Sequence, residues 1–199
     1  MVEHTSLRAF LSGFQRDFEV SPHHTVPYWH LFTGDPSVNS VWCTLTRGAC
    51  LMVAPPSANM DFPCMRRLMT RCADIPFLLI VPPVLSSFLD WNDGLLPHSI
   101  RSLYVAGDKS TPELAAKALQ RNRAIRYVNG FGPSEVTVNT HHYMLYHRDL
   151  ATLNADSIPI GRNMLNTTTF IFDKVFVASA RTPDRYDQLE CLMLECRLN

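Results

Sequence analysis

Short apolar runs caught between helical patterns limit what this chain can fold into. Residues 76–81, Pro-Phe-Leu-Leu-Ile-Val, are apolar throughout, the pattern of a strand covered on both faces. Residues 101–106 and 125–128 read as two further strands. Helical spacing fills the intervals. In residues 5–18, Leu7, Phe10, Leu11 and Phe14 share one face. Residues 37–46 carry Val38, Val41, Trp42 and Leu45 at helical spacing, with Ser37 as the expected N-cap and Gly48 as the stop. Residues 61–72 and 84–89 read as helices. Thr111-Pro112 opens another, with proline where its missing N–H costs nothing. Residues 25–33, 50–54 and 136–141 read as additional strands. Strands alternating with helices predict an α/β fold, a parallel sheet flanked by helices. Ligands of such sheets sit outside the carboxyl ends of the strands. Two segments therefore stand out: Gly107-Asp108 and the loop expected over residues 129–135.

Composition narrows the partners. Eighteen Lys and Arg balance eighteen Asp and Glu across 199 residues, so overall charge gives no argument for nucleic acid or an acidic membrane surface. The longest apolar run, residues 75–85, contains three prolines and is far short of the roughly 20 residues a membrane helix needs. The opening MVEHTSLRAF lacks the apolar core of a secretory signal. Six cysteines include no C-x-x-C pair, which suits reduced thiols. The expectation is a soluble cytoplasmic protein. The paired histidines His23-His24 and His141-His142 read as solvent-exposed loop residues, since neighbours on a strand cannot both face one metal.

Tyr127-Val-Asn-Gly-Phe-Gly-Pro-Ser-Glu135 is the most informative stretch. Its glycines let backbone approach a ligand closely. Phe131 offers a flat face for stacking, Ser134 a donor for an anion, and Glu135 a hard oxygen suited to magnesium. Together these suit a magnesium nucleotide. The stretch is neither a dinucleotide fingerprint, which needs a third glycine, nor a Walker loop. By composition alone, a Gly-Pro segment of this kind is more often just a turn.

Asn129-Gly-Phe-Gly-Pro-Ser-Glu-Val-Thr137 resembles the Asn-x-aromatic-Gly-Pro-Thr/Ser-Glu motif of the adenylate-forming enzymes, and most of all that of the adenylation domains of nonribosomal peptide synthetases. Other segments are similar to that family in the same order. These are Val2-Glu-His4 with Ser6-Leu7, Gly34-Asp-Pro-Ser-Val38 through Leu45-Thr-Arg-Gly-Ala49, Val81-Pro-Pro83, Leu103-Tyr-Val-Ala-Gly107 and Ile158-Pro-Ile-Gly-Arg162. The resemblance covers residues 1–173, part of the family's large N-terminal domain, and leaves a tail over residues 174–199. It implies activation of an α-amino acid: carboxylate and ATP give an aminoacyl adenylate and pyrophosphate, and the adenylate passes to the phosphopantetheine thiol of a carrier protein. Condensation domains would be further partners in a full synthetase. The resemblance puts Gly107, Asp108, Asn129, Phe131, Gly132, Ser134 and Glu135 around ATP, with Glu135 on Mg2+. It puts Asp35, Pro36, Asn39, Val84, Tyr104, Ala106, Gly130, Val138 and Asn139 around the amino acid, with Asp35 pairing the α-ammonium.

Departures bear on activity. Gly34 stands where the family usually has an aromatic residue. The family's phosphate loop, ribose-binding aspartate and catalytic lysine have no counterpart in the 199 residues, so the expectation is a fragment inactive alone. The tail matches nothing in the family, and its Leu189, Leu192, Met193 and Cys196 fall at the spacing of an apolar helical stripe. An acyl- or aryl-CoA ligase is the alternative enzyme class, against which Asp35 speaks, because a plain acid leaves its charge unpaired. A non-enzymatic remnant or decoy of a synthetase is the third reading.

Overall fold

The structure is a computed structural model that describes residues 2–56, 58–91, 94–153, 156–171 and 192–196. Its centre is a five-stranded sheet of β3 (Leu78–Ile80), β4 (Ser102–Ala106), β5 (Arg126–Phe131), β6 (His141–Leu145) and β7 (Arg162–Asn163), in that order. The first three strands run parallel, as expected, with Leu103 opposite Leu78 and Tyr127 opposite Leu103. The sheet then continues with antiparallel β6 and β7. A smaller parallel pair joins β1 (Thr25–Tyr28) to β2 (Cys50–Val53). Pro27 is tolerated within β1 because, among the described residues, that strand pairs on one side only.

Alternation along the strands divides the core. Leu103 and Val105 of β4 face one cluster, and Tyr104 and Ala106 face the other. The first cluster includes residues of α3 (Phe62–Arg71), α4 (Pro82–Asp90) and α5 (Pro112–Arg121). The second is dominated by α1 (His4–Asp17), whose Phe10 and Phe14 pack with Phe18, Phe77 and Tyr104. Phe14 lies edge-on to Phe77 at 4.9 Å and to Tyr104 at 5.2 Å. Phe14→Ala should cost about 3–5 kcal/mol, because the rigid rings around it cannot collapse into the void. A fall in the urea midpoint of that size checks it; a change below about 1 kcal/mol, the size of an ordinary surface substitution, would contradict this packing.

Helix starts follow the sequence. The Asp61 carboxylate accepts from the Cys64 N–H at 2.8 Å, and the Thr111 hydroxyl accepts from the Leu114 N–H at 3.3 Å. Ser37 is different. It already has helical dihedrals and makes no side-chain cap. The chain turns one step earlier, where the Ser37 N–H reaches the Gly34 carbonyl, and Val38–Trp42 form a π-helical stretch leading into the short α2 (Cys43–Leu45).

Four expectations fail for physical reasons. Residues 129–131 continue β5 rather than leaving it as a loop, because Gly130 pairs with Ala106 on one side and His142 on the other. Residues 136–141 are not a strand. A 3-10 turn at Ser134–Val136 is followed by Thr137 and Val138 at φ +66 and +69, and extended structure resumes only at His141. The histidines are not loop residues in solvent, apart from exposed His23. His24 is buried, with Nε2 3.5 Å from Asp74, while His141 is buried and His142 half-buried on β6, which lies between β5 and β7. Leu192–Cys196 form a strand, β9, antiparallel to β8 (Thr167–Ile171), not a helical stripe; Leu189 lies outside the described residues. The β-branched run Thr167-Thr-Thr of β8 offers an edge that favours strand pairing.

Cys43, Cys64 and Cys72 are buried free thiols and Cys50 is an exposed one. Among the described residues, no helix is long and apolar enough to cross a membrane.

Candidate functional site

A cavity of about 920 Å³ opens at the carboxyl ends of the three parallel strands. Leu79 and Val81 enter it from β3 and just beyond. Ala106, Gly107 and Asp108 come from the end of β4, and Asn129, Gly130, Phe131 and Gly132 from the end of β5. Asp35, Pro36 and Asn39 close one side from the turn that starts the π-helical stretch. This is where the geometry of parallel strands leaves backbone groups open to a ligand.

A further wall comes from residues 156–160, fixed by side chains of the core. The Asn129 amide donates to the Ile158 and Pro159 carbonyls at 3.2 and 3.0 Å, and the Ile158 N–H reaches the Ser110 carbonyl at 3.0 Å. Ser110 is in turn hydrogen-bonded to the buried Tyr127 hydroxyl. Asn129 thus joins the end of β5 to a segment far along the chain.

The connection after β5 is tied shut at its base. The Thr140 N–H donates to the Phe131 carbonyl at 2.8 Å, so the chain leaves β5 at Phe131 and returns beside it. Gly132 is required there. A Cβ on it would lie 2.4 Å from the Asn139 Cα and 2.7 Å from the Thr140 nitrogen, both backbone atoms. Before the return, the Asn139 N–H donates to the Thr137 carbonyl at 2.9 Å around Val138, a γ-turn with positive φ. Two successive β-branched residues in the left-handed region cost about 1–3 kcal/mol each. That strained turn delivers Val138 and Asn139 to the cavity. There Asn139 meets Asn39, whose amide donates to the Asn139 Oδ1 at 3.1 Å across 100 residues of sequence. Asn39 is fully buried and its own Oδ1 has no partner.

At the mouth, the Ser134 hydroxyl donates to the Asp35 carboxylate. Glu135 is exposed beside it on the 3-10 turn, and Phe131 keeps part of its ring exposed. Asp35, Asp108 and Asp156 outnumber Lys109 around the cavity. Among the described residues, no three of His, Cys, Asp and Glu gather as a metal cage.

Beneath the site, the His30 Nε2 donates to the Leu79 carbonyl at 3.0 Å, and burial pushes its pKa down to about 4. His141, between the Thr140 and Thr169 hydroxyls at 2.9 Å each, is likewise pushed down to about 4 by burial. Each ring has its ordinary value of 6.5 when unfolded, so the unfolded chain binds more protons between pH 6.5 and 4. Stability should be fully present above pH 6.5 and drain away as pH falls toward 4. Ring-proton NMR should show both histidines titrating below pH 5; titration near 6.5 would contradict their burial.

Twelve of the sixteen residues nominated from the sequence line this one cavity. Ser134 and Glu135 stand at its mouth rather than in its lining. Tyr104 and Val84 do not line it. Tyr104 is one layer deeper, its unpartnered hydroxyl under Gly130, where an added Cβ would sit 2.3 Å away. Burial raises that phenol's pKa well above its ordinary value. Val84 packs on α4 against the opposite core cluster. Sequence reasoning missed Leu79, Val81, Lys109, Ser110, Asp156, Ser157, Ile158 and Ile160 as lining residues. Lys109 and Ser110 directly follow Gly107-Asp108 and could have been found by adjacency; the others are brought in by the fold.

This chain belongs to the AMP-binding enzyme family, which matches residues 1–176. Its similarity within that family is to nonribosomal peptide synthetases. It is 29% identical over 143 residues to malpibaldin synthetase of Mortierella alpina, covering 72% of this chain and 2% of that protein. It is 27% identical over 176 residues to a plipastatin synthase subunit of Bacillus subtilis, covering 86% and 7%. The chain thus spans a small part of the length of these relatives. Among solved structures, it matches a nonribosomal peptide synthetase protein with adenylation and PCP domains, bound to a vinylsulfonamide inhibitor. The TM-score is 0.72 and the identity 25%, over 87% of this chain and 30% of that one. A Vibrio cholerae adenylation domain in complex with glycyl-adenosine-5'-phosphate shares the fold, with TM-score 0.74 and 23% identity over 89% and 32%. The α/β architecture is therefore that of part of an adenylation domain.

Proposed function

We propose that the cavity is an aminoacyl-adenylate site, which binds an α-amino acid and MgATP for attack of the carboxylate on the α-phosphorus. The products are the mixed anhydride and pyrophosphate. The observation that supports this best is that Asp35 shares one 920 Å³ volume with the carboxyl ends of β4 and β5. Asp35 pairs with the α-ammonium, a charge-assisted contact that a plain acyl or aryl acid would not supply. Gly107, Asp108 and Asn129 flank the adenine, with Phe131 stacked on it. Ser134 turns from Asp35 to a phosphate oxygen. Glu135 holds the metal with substrate oxygens, which suits magnesium: it binds through one or two carboxylates plus phosphates and needs no preformed cage. The metal neutralises phosphate charge; the chain's own contribution is to bind and orient the reactants. In a full assembly the acyl group would pass to the phosphopantetheine thiol of a carrier protein, with condensation domains downstream.

Calorimetry with MgATP and a panel of α-amino acids tests the reading. Saturable MgATP binding, weakened at least about tenfold by Glu135→Ala, is expected, since charge-assisted contacts are worth about 1.5–3 kcal/mol. Because Glu135 is exposed, that variant should keep the wild-type melting temperature. Binding indifferent to Glu135→Ala would count against the loop's assigned role.

A further inference from the structure

We propose that this site selects an α-amino acid whose side chain ends in a neutral hydrogen-bonding group, a hydroxyl or carboxamide, read by Asn139 while Asn39 holds Asn139 in position. The inference rests on the aminoacyl-adenylate reading and adds the substrate class. Three features converge on one spot. The γ-turn about Val138 is strained backbone spent on aiming Asn139 at the cavity. Asn39, on a π-helical stretch of a kind often found at functional sites, reaches across to Asn139 at 3.1 Å. The Asn39 carbonyl is left buried without a partner, so the amide pair is incomplete in the free protein.

An all-apolar pocket would have no use for such a pair. Pro36, Ala106, Val138 and Gly130, which line the same cavity, are apolar or bare. An aliphatic side chain pushed against Asn139 would strip it of water and give nothing in return. A hydroxyl or carboxamide both donates and accepts, and replaces that water. It does so whichever way round the two amides are turned. A hydrophobic pocket separates isosteres weakly, whereas a site built to hydrogen-bond rejects the analogue that lacks the group. Asn39 acts through Asn139 and is a positioning residue.

The test uses stable aminoacyl sulfamoyl adenosines, titrated calorimetrically into the chain as isosteric pairs: threonyl against valyl, and asparaginyl against leucyl. The polar member of each pair should bind at least about tenfold tighter. Asn139→Leu should bring each ratio to one or invert it, and Asn39→Leu should shrink it. A ratio taken within one protein is insensitive to a general loss of folded material. Valyl and leucyl compounds binding as tightly as their partners to the wild type would overturn the specificity while leaving the adenylate reading intact. Binding of none of the four would overturn both.

Discussion

Gly132→Ala should abolish binding of an aminoacyl-adenylate analogue. The added methyl would sit 2.4 Å from the Asn139 Cα and 2.7 Å from both the Thr140 nitrogen and the Val138 carbonyl oxygen. All three obstacles are backbone, so no side chain can swing away. Relief requires the return of the loop beside β5 to move, which breaks the Thr140-to-Phe131 hydrogen bond and carries Val138 and Asn139 out of the cavity. Overpacking of this kind costs about 1–3 kcal/mol of stability, so the protein should still fold. Affinity should fall more than about 100-fold, because displacing a positioned site by even ~1 Å is that costly. Gly34→Ala is the natural comparison: its nearest neighbour would be Pro36 Cδ at 3.4 Å, ordinary contact, and its stability should stay within about 0.5 kcal/mol of wild type. Calorimetry and urea denaturation on both variants decide the matter. Near-wild-type binding by Gly132→Ala would mean that the loop geometry is not what shapes the site.

Asp35→Asn should separate the amino acid from the nucleotide. The substitution keeps the shape and an acceptor for the Ser134 hydroxyl but removes the negative charge. Charge-assisted hydrogen bonds are worth about 1.5–3 kcal/mol, so an aminoacyl adenylate analogue should lose about 10- to 100-fold in affinity. MgATP alone should be affected less than about twofold, since the lost partner is the α-ammonium. Equal losses for both ligands would indicate that Asp35 supports the fold of the mouth rather than recognising an amino acid.

Much of this site is legible in the sequence, for a physical reason. Gly107-Asp108 directly follow β4 and residues 129–132 close β5, and the carboxyl ends of parallel strands are where ligands sit, so local pattern and topology agree. The Thr111-Pro112 helix start rests on equally local chemistry and appears where expected. What was not legible depends on contacts between distant segments. Residues 136–141 alternate plausibly as a strand, yet the closure of Thr140 onto Phe131 forces Thr137 and Val138 into the left-handed region. The wall at Ile158 exists because the Asn129 side chain reaches carbonyls about 30 residues onward. Tyr104 and Ala106 share a face of β4, but the first is sealed beneath Gly130 and only the second reaches the cavity. His141 and His142 read as polar loop residues until β6 is seen to lie between β5 and β7.

The claim that this cavity holds an aminoacyl adenylate is tested most directly by a pair of ligands differing only in the α-amino group. A threonyl sulfamoyl adenosine and its deamino counterpart would each be titrated into the chain by calorimetry. Saturable binding of the amino compound, at least about tenfold tighter than the deamino compound and with that advantage lost in Asp35→Asn, is the predicted result. Equal affinity for the two, or tighter binding of the deamino compound, would contradict it and return the site to the acyl- or aryl-activating class.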